Sequence, residues 1–341
     1  MDSNTNKRVK VPKTPALGVG DVIGSGDSYL VTNLLPPELA DVAFESIKTE
    51  VKWEVMVHRG GEVPRLVAME GEIAEDGSFP VYRFPSDEYP CMSPFSPTVS
   101  LIREHVQQVL KHPVNHVLIQ LYRNGKDGIS EHSDKTIDVV RGSNIVNVSL
   151  GAQRFMTLRL KKDKTTPSTS DETTIDDNGR TTTSLDSSTP AISGDDVTRQ
   201  AALTFGVPRT TQRIPLPHNS MFVMGLETNA KWVHGINPDN RPLKTKSPEE
   251  QVQDGGRISL TFRHIATFLS KDESMIWGQG AKGKTKDQAR KVVYKREDVD
   301  KLLQEFGNEN QRNNFDWDVA YGQGYDILDL LEKKAVETEM K

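Results

Sequence analysis

The sequence predicts an α+β fold in which a β-sandwich or jelly roll is flanked by helices. Two observations carry that expectation. Short runs of alternating apolar and polar residues recur at loop-punctuated spacing, and helical patterns stand before and after those runs instead of between them, which disfavours alternating βαβ units. A dinucleotide fold is disfavoured as well, because the Gly-rich pieces GVGDVIGSG and GQGAKGK neither follow a strand nor open a helix.

In chain order, residues 1–27 mix Lys, Pro, Gly and Ser without apolar period and are expected as a flexible arm, with a basic cluster at Lys7, Arg8, Lys10 and Lys13. From Tyr29 the pattern gives a short strand, a Pro-marked turn and an amphipathic helix through Leu39, Val42, Ala43 and Ile47. Residues 53–97, rich in Gly, Pro and aromatics, predict short strands and ordered loops. TVSLIREHVQQVLKHP supplies a second helix that stops at Pro113. Val117–Tyr122 alternates as a strand, turns through Asn124-Gly125, and delivers His132 and Asp134 a few residues later. NIVNVSLG and RFMTLRL are further strands. From about 161 to 199 Thr, Ser, Asp, Gly and Pro dominate, so a disordered insertion is expected inside the domain. Strand patterns return in QRIPLPHNSMFVMG, WVHGI and RISLTFRHIATFL, with a polar loop from Asn237 to Gly256. Residues 270–341 read as a charged C-terminal extension, with a basic stretch KGKTKDQARKVVYKR and a terminal helix in YDILDLLEKKAVE.

Composition narrows the classes. The 341 residues, 35% hydrophobic and 27% charged, suit one elaborated domain diluted by polar sequence. A single cysteine, Cys91, excludes an intramolecular disulfide framework and a cysteine-built zinc site. The start MDSNTNKRVKVPK has no apolar core, and no stretch approaches about eighteen uninterrupted apolar residues. The chain is therefore expected to be an intracellular monomer, nuclear and/or cytoplasmic, without membrane contact. A net charge of -5 argues against bulk attraction to nucleic acid but leaves room for a local basic patch.

The chemistry resides in three places. His132 and Asp134 stand two residues apart at a strand end, and a distant His234 can complete a metal-binding face. Two imidazoles and one carboxylate on one face leave the opposite positions open, as non-haem Fe(II) oxygenases need; zinc hydrolysis is the competing use. In RISLTFR, residues i and i+2 share a strand face, so Arg257, Ser259, Thr261 and Arg263 line one side and Ile258, Leu260 and Phe262 the other. Where that face points inward the two arginines require anionic partners, and a dicarboxylate satisfies both; a solvent-exposed strand face is the alternative.

HSD at 132–134, His234 in KWVHGINP, and RISLTFR at 257–263 together resemble the Fe(II)- and 2-oxoglutarate-dependent dioxygenases of the AlkB type, whose pattern is HxD, a distal His and R-x-N-L-T-F-R. EVPRLVAMEG is similar to that family's substrate lid, and LYRNGKDGISEHSD, SLGAQRFMTLR and LPHNSMFVMG resemble its approach to the metal and its core strands. The resemblance spans roughly Leu30 to Leu269 and implies a double-stranded β-helix over 28–269. It implies Fe(II) on His132, Asp134 and His234. It also implies 2-oxoglutarate, with O2, between Arg257, helped by Tyr122, and Arg263 at the metal-chelating end. Gln120 and Ser259 replace two asparagines of the family pattern and keep a polar group beside the co-substrate. The implied chemistry is oxidative decarboxylation coupled to hydroxylation of a substrate C–H bond; an N-methyl group so hydroxylated leaves as formaldehyde.

Two substrates compete. A nucleic-acid demethylase would flip an alkylated base into the pocket against Tyr82 or Phe84, with Pro64 and Arg65 in the lid, Arg59 and Arg83 nearby and the basic stretch from Lys282 to Arg296 on phosphates. A hydroxylase or desaturase of a small metabolite is the alternative. It is favoured by Lys135 and Thr136, which stand where base-repairing members carry an acidic residue; Asp138 is the nearest substitute.

Overall fold

The computed structural model describes residues 14–58, 61–87, 89–162 and 210–330. The first part of the chain forms β1 (Tyr29–Thr32), α1 (Pro37–Glu50), β2 (Glu54–His58), β3 (Gly61–Gly71), β4 (Phe79–Pro80), β5 (Met92–Pro94) and α2 (Pro97–Leu110). Next come β6 (His116–Tyr122), β7 (Ile129–His132), β8 (Ile145–Gly151), β9 (Arg154–Leu160), β10 (Thr211–Leu216), β11 (Ser220–Met224), α3 (Leu226–Lys231) and β12 (Trp232–Ile236). The last part holds β13 (Arg257–Arg263), β14 (Thr267–Leu269), β15 (Met275–Gly278), β16 (Arg290–Lys291), α4 (Arg296–Gln311) and α5 (Trp317–Tyr321).

One sheet runs β1-β11-β8-β13-β6-β3-β2, a second runs β10-β9-β12-β7, and a third runs β16-β15-β14-β4; every pairing is antiparallel except that of β5 with β3. The two faces of β13 separate as its alternation predicts. Ile258, Leu260 and Phe262 join Ala43, Phe44 and Ile47 of α1 and Val99, Ile102 and Val106 of α2 in one core, each large apolar side chain contributing about 1.5–3 kcal/mol. A second core joins the first two sheets through Tyr122, Met156, Leu158, Ile214, Phe222, Met224, Trp232 and Ile236. Trp232 is thus a packing residue. Mostly antiparallel sheets with helices on their outer side are what the sequence patterning predicts.

Several expectations require correction. The buried face of α1 is Ala40, Ala43, Phe44 and Ile47, while Val42 is exposed; small alanines let the helix lie close to the sheet. The described end of the N-terminal arm, 14–27, is docked. Ala16 bridges Arg213, the Leu17 amide donates to the Arg213 carbonyl (2.8 Å), and the Gly24 amide donates to the Gln212 side chain (2.8 Å). The arm thereby covers β10, an edge strand whose open hydrogen-bonding groups would otherwise face solvent. Residues 325–330, expected to open a terminal helix, are irregular, and the remainder of that helix lies outside the described residues, as do the basic cluster at 7–13 and most of the expected insertion. The segment after 270 is folded onto the domain: Val299, Leu302 and Phe306 of α4 pack with Tyr321, Tyr325 and Ile137.

Candidate metal centre

β7 and β12 pair so that His132 and His234 are direct cross-strand partners, which no sequence spacing reveals. Their ring centroids lie 4.4 Å apart. Gly235 makes this approach possible: a Cβ there would sit 2.9 Å from the Ile129 carbonyl oxygen. Asp134 follows β7, and one ligand atom from each of His132, Asp134 and His234 falls within 4.8 Å of the others. His132 and Asp134 are oriented from behind, whereas the buried Nδ1 of His234 has no partner among the described residues. The His132 Nδ1 is 2.8 Å from the Ser130 carbonyl oxygen, so Nε2 is the nitrogen left for a metal. Asp134 donates its amide to the Asn229 side-chain oxygen (2.9 Å) and accepts on its carbonyl from the Asn229 amide nitrogen (3.0 Å). Asn229 belongs to α3, whose first turn is capped by the Asp27 carboxylate accepting from the Glu227 and Thr228 amides.

The charges suit a divalent cation. Burial lowers both imidazoles, His234 to about 3 with the neighbouring His132 adding to the effect. Burial alone would raise the Asp134 carboxyl, but the Arg263 guanidinium and the two imidazoles hold it well below the usual carboxylate range. Neutral imidazoles and an ionised carboxylate are the forms that ligate metal. Arg263 donates to Asp134 Oδ1 at 2.7 Å and Tyr82 donates to the same oxygen at 3.2 Å, so Oδ2 is the oxygen left outward.

Arg257 is 1% exposed. Its Nη2 donates to Asn147 Oδ1 (2.8 Å) and Ser149 Oγ (2.7 Å), and its guanidinium faces the Tyr122 ring at 5.3 Å. Nε and Nη1 of Arg257 and Nε of Arg263 are buried without a partner among the described residues. Burial pushes Arg257 down to about 10. Open donors on buried guanidinium groups are costly unless an anion satisfies them, so this pair fits a carboxylate-bearing co-substrate. Tyr122 donates its hydroxyl to Gln120 (3.0 Å), and the Ser259 hydroxyl accepts from the Asn147 amide (2.6 Å).

A cavity of about 1040 Å³ opens on the triad, lined among others by Pro64, Arg65, Tyr82, Phe84, Gln120, Asn147 and Arg263. Arg257, Tyr122 and Ser259 are not on its wall; Asn147, bonded to two of them, is. Tyr82, expected as a stacking platform, is committed to the metal ligand: its hydroxyl also accepts from the Lys135 amide (3.1 Å) and the Arg263 guanidinium covers its ring at 3.9 Å. Arg83 and Asp138 leave the site altogether, forming a fully buried ion pair at 2.6 Å. Lys135 lines the cavity, whereas Thr136 does not. Arg59 lies outside the described residues. Four cations of the 282–296 stretch have carboxylate partners: Lys282 pairs with Asp298, Lys286 with Asp76, Arg290 with Asp326 and Arg296 with Asp300.

Sequence reasoning missed Asn147, Ser149 and Asn229. The first two had a signal: polar residues at i and i+2 inside an otherwise apolar strand mark a face turned to a polar partner. Asn229 had none, since only folding brings α3 to the metal loop.

The profile of the 2OG-Fe(II) oxygenase superfamily matches residues 27–263. DNA oxidative demethylase ALKBH2 of Homo sapiens is 28% identical over 172 residues, covering 50% of this chain and 48% of that protein. Alpha-ketoglutarate-dependent dioxygenase alkB homolog 3 of Bos taurus is 26% identical over 230 residues, 66% of this chain and 62% of that protein. The chain thus spans about half to three fifths of the length of these relatives. The solved structure of OsALKBH1 aligns at a TM-score of 0.39 and 13% identity, covering 70% of this chain and 98% of that one.

Proposed function

This chain belongs to the 2OG-Fe(II) oxygenase superfamily, as an AlkB-type dioxygenase, and from that premise we propose that it oxidatively removes alkyl groups from nucleobases in DNA or RNA. The observation that carries the reading is one arrangement: a His132–Asp134–His234 cluster on a large cavity, backed by two buried arginines with open donors. His132, Asp134 and His234 would hold Fe(II). Arg257, braced by Asn147 and Ser149 and flanked by Tyr122, would take the distal carboxylate of 2-oxoglutarate. Arg263 would steady both Asp134 and the chelating end, with Gln120 and Ser259 keeping the surrounding polar network satisfied. Two facing antiparallel sheets are the frame a double-stranded β-helix provides for such a set.

When bound, Fe(II) with 2-oxoglutarate and O2 supplies hydroxylation of a C–H bond, releasing succinate and carbon dioxide. The protein's own contribution is orientation. Arg263 and Tyr82 keep Asp134 ionised and one of its oxygens directed outward; Met156, Phe222 and Met224 keep the cavity floor apolar; Pro64 and Arg65 meet the substrate from β3. Similarity to ALKBH2 and alkB homolog 3 supports an alkylated nucleic acid as substrate. A metabolite hydroxylase or desaturase is the second reading, favoured by Lys135, which lines the cavity near the place of an acidic base contact and whose ammonium donates to the Ser133 carbonyl (3.1 Å).

The test is release of succinate and formaldehyde by the Fe(II)-loaded protein with N-methylated single- and double-stranded DNA and RNA oligonucleotides. Formaldehyde in step with succinate is expected. Succinate without formaldehyde on every strand would overturn the nucleobase reading and keep the oxygenase.

A further inference from the structure

The family match ends at Arg263, yet α4, more than thirty residues later, reaches the metal-bearing loop. Asn310 Oδ1 accepts from the Ser133 amide at 2.7 Å. Ser133 is the residue between His132 and Asp134. Next to it, Glu309 accepts on its carboxylate from the Thr136 amide (3.0 Å) and on its carbonyl from the Ser133 hydroxyl (3.3 Å). Two further groups fix that carboxylate and carbonyl: the Tyr321 hydroxyl at 2.8 Å and the Lys161 ammonium at 2.6 Å. Trp317 of α5 donates its indole N–H to the Thr136 carbonyl (3.2 Å). The amides of Ser133 and Thr136 therefore find their acceptors on α4, while that of Lys135, between them, finds the Tyr82 hydroxyl.

The same helix faces the cavity. Leu303, Phe306, Gly307 and Asn310 line it at the i, i+3, i+4, i+7 spacing of one helical face. Leu302 and Phe306 are anchored in a core shared with Ile137, which follows the metal loop directly. A helix that only covered the surface would need neither the polar contacts to loop backbone nor a face on the cavity.

We propose that α4 belongs to the reaction centre, with Asn310 and Glu309 as positioning residues that fix the spacing of His132 and Asp134 through the backbone of Ser133 and Thr136. The proposal rests on the reading of the triad as an Fe(II) site only in its metal-binding arm. A loop anchored at these two amides is pre-organised for the metal; released, it must be ordered at the moment of binding.

The experiment uses the full chain and three proteins: the parent, Asn310→Ala and Asn310→Asp, the last keeping an acceptor for the Ser133 amide. Hydrogen exchange over residues 129–137 is followed in the metal-free state, and Fe(II) affinity is measured anaerobically by competition with a chelator. In Asn310→Ala the loop amides should exchange faster and Fe(II) should bind about tenfold more weakly, the equivalent of one buried hydrogen bond; Asn310→Asp should restore both. Unchanged exchange over 129–137 would overturn the proposal, with or without weaker Fe(II) binding, as would failure of Asn310→Asp to restore the parent values. A parent that does not bind Fe(II) would instead sink the metal reading, and the exchange arm would still decide for or against α4.

Discussion

Replacing Arg257 by Met separates a co-substrate clamp from a structural arginine. In the parent only Nη2 is satisfied, by Asn147 and Ser149, while Nε and Nη1 are buried and open. A carboxylate accepting from both gains two charge-assisted bonds of about 1.5–3 kcal/mol each, so even the lower bound, about 3 kcal/mol, amounts to a factor of roughly 150 in Kd. Without 2-oxoglutarate the balance is different. Each open buried donor costs on the order of 1–3 kcal/mol, and methionine, of similar length, removes that cost while stranding one acceptor pair on Asn147 and Ser149. The ligand-free variant should then unfold within about 1 kcal/mol of the parent. Calorimetric titration of 2-oxoglutarate into the anaerobic Fe(II) protein, with denaturant unfolding of the ligand-free protein alongside, reads both quantities. Binding of 2-oxoglutarate within threefold of the parent would refute the clamp, and a loss of more than about 3 kcal/mol in the ligand-free state would show a guanidinium whose partners are already inside the protein.

His132→Ala should abolish succinate release while changing stability by about 1 kcal/mol or less, because the ring is only partly buried and loses a single bond to Ser130; retained succinate would remove His132 from the metal. Arg83→Met should cost about 3–5 kcal/mol in chemical denaturation, since it strands the Asp138 carboxylate in a fully buried position, and a cost under about 1 kcal/mol would mean that Asp138 finds another donor. His234 is depressed by burial from about 6.5 to about 3, so between those values the unfolded chain binds the extra proton. The stability of the metal-free protein should be fully present above about pH 6.5 and decline as the pH falls towards 3. Denaturation midpoints at pH 7.5, 6 and 5 should show a shallower decline in His234→Leu, and parallel profiles would rule out His234 as a source of that dependence.

Strands were legible where alternation is strong. β6, β8, β9 and β13 fall where the apolar period put them, and the separation of the two β13 faces follows from period two alone. On α1, Ala43 and Ile47 are buried and Leu39 packs at the edge of the core as expected, while Val42 is exposed and Ala40 and Phe44 complete the face, because the sheet selects by close fit. Basic and acidic residues misled most. Arg83, expected near the substrate, is a buried ion pair, and Lys282, Lys286 and Arg290 of the basic stretch have carboxylate partners distant in the chain or on other elements. Long-range pairing is what a linear reading lacks: nothing adjacent to Arg83 announces Asp138, and nothing near Asp134 announces Asn229.

That pattern explains why the His132, Asp134 and His234 cluster could be picked out while its supports could not. A candidate ligand is drawn from the few side-chain types that bind metal, and a short spacing such as HxD marks it. A support needs only a donor or acceptor at the right place, and here several of those places lie far along the chain from the residues they hold. Asp27, from the arm, caps α3 and so fixes Asn229 against Asp134; Glu309 and Asn310, from α4, take the amides of Thr136 and Ser133. A loop of five residues, 132–136, is thus held from both ends of the sequence, so loosening either end should disturb the centre without touching a ligand. Asp27→Ala tests this from the other side: removing the α3 cap, worth about 0.5–2 kcal/mol, should weaken Fe(II) binding as well as the local stability of α3. A variant that loses the cap and keeps the parent Fe(II) affinity would show that Asn229 holds Asp134 without help from the arm.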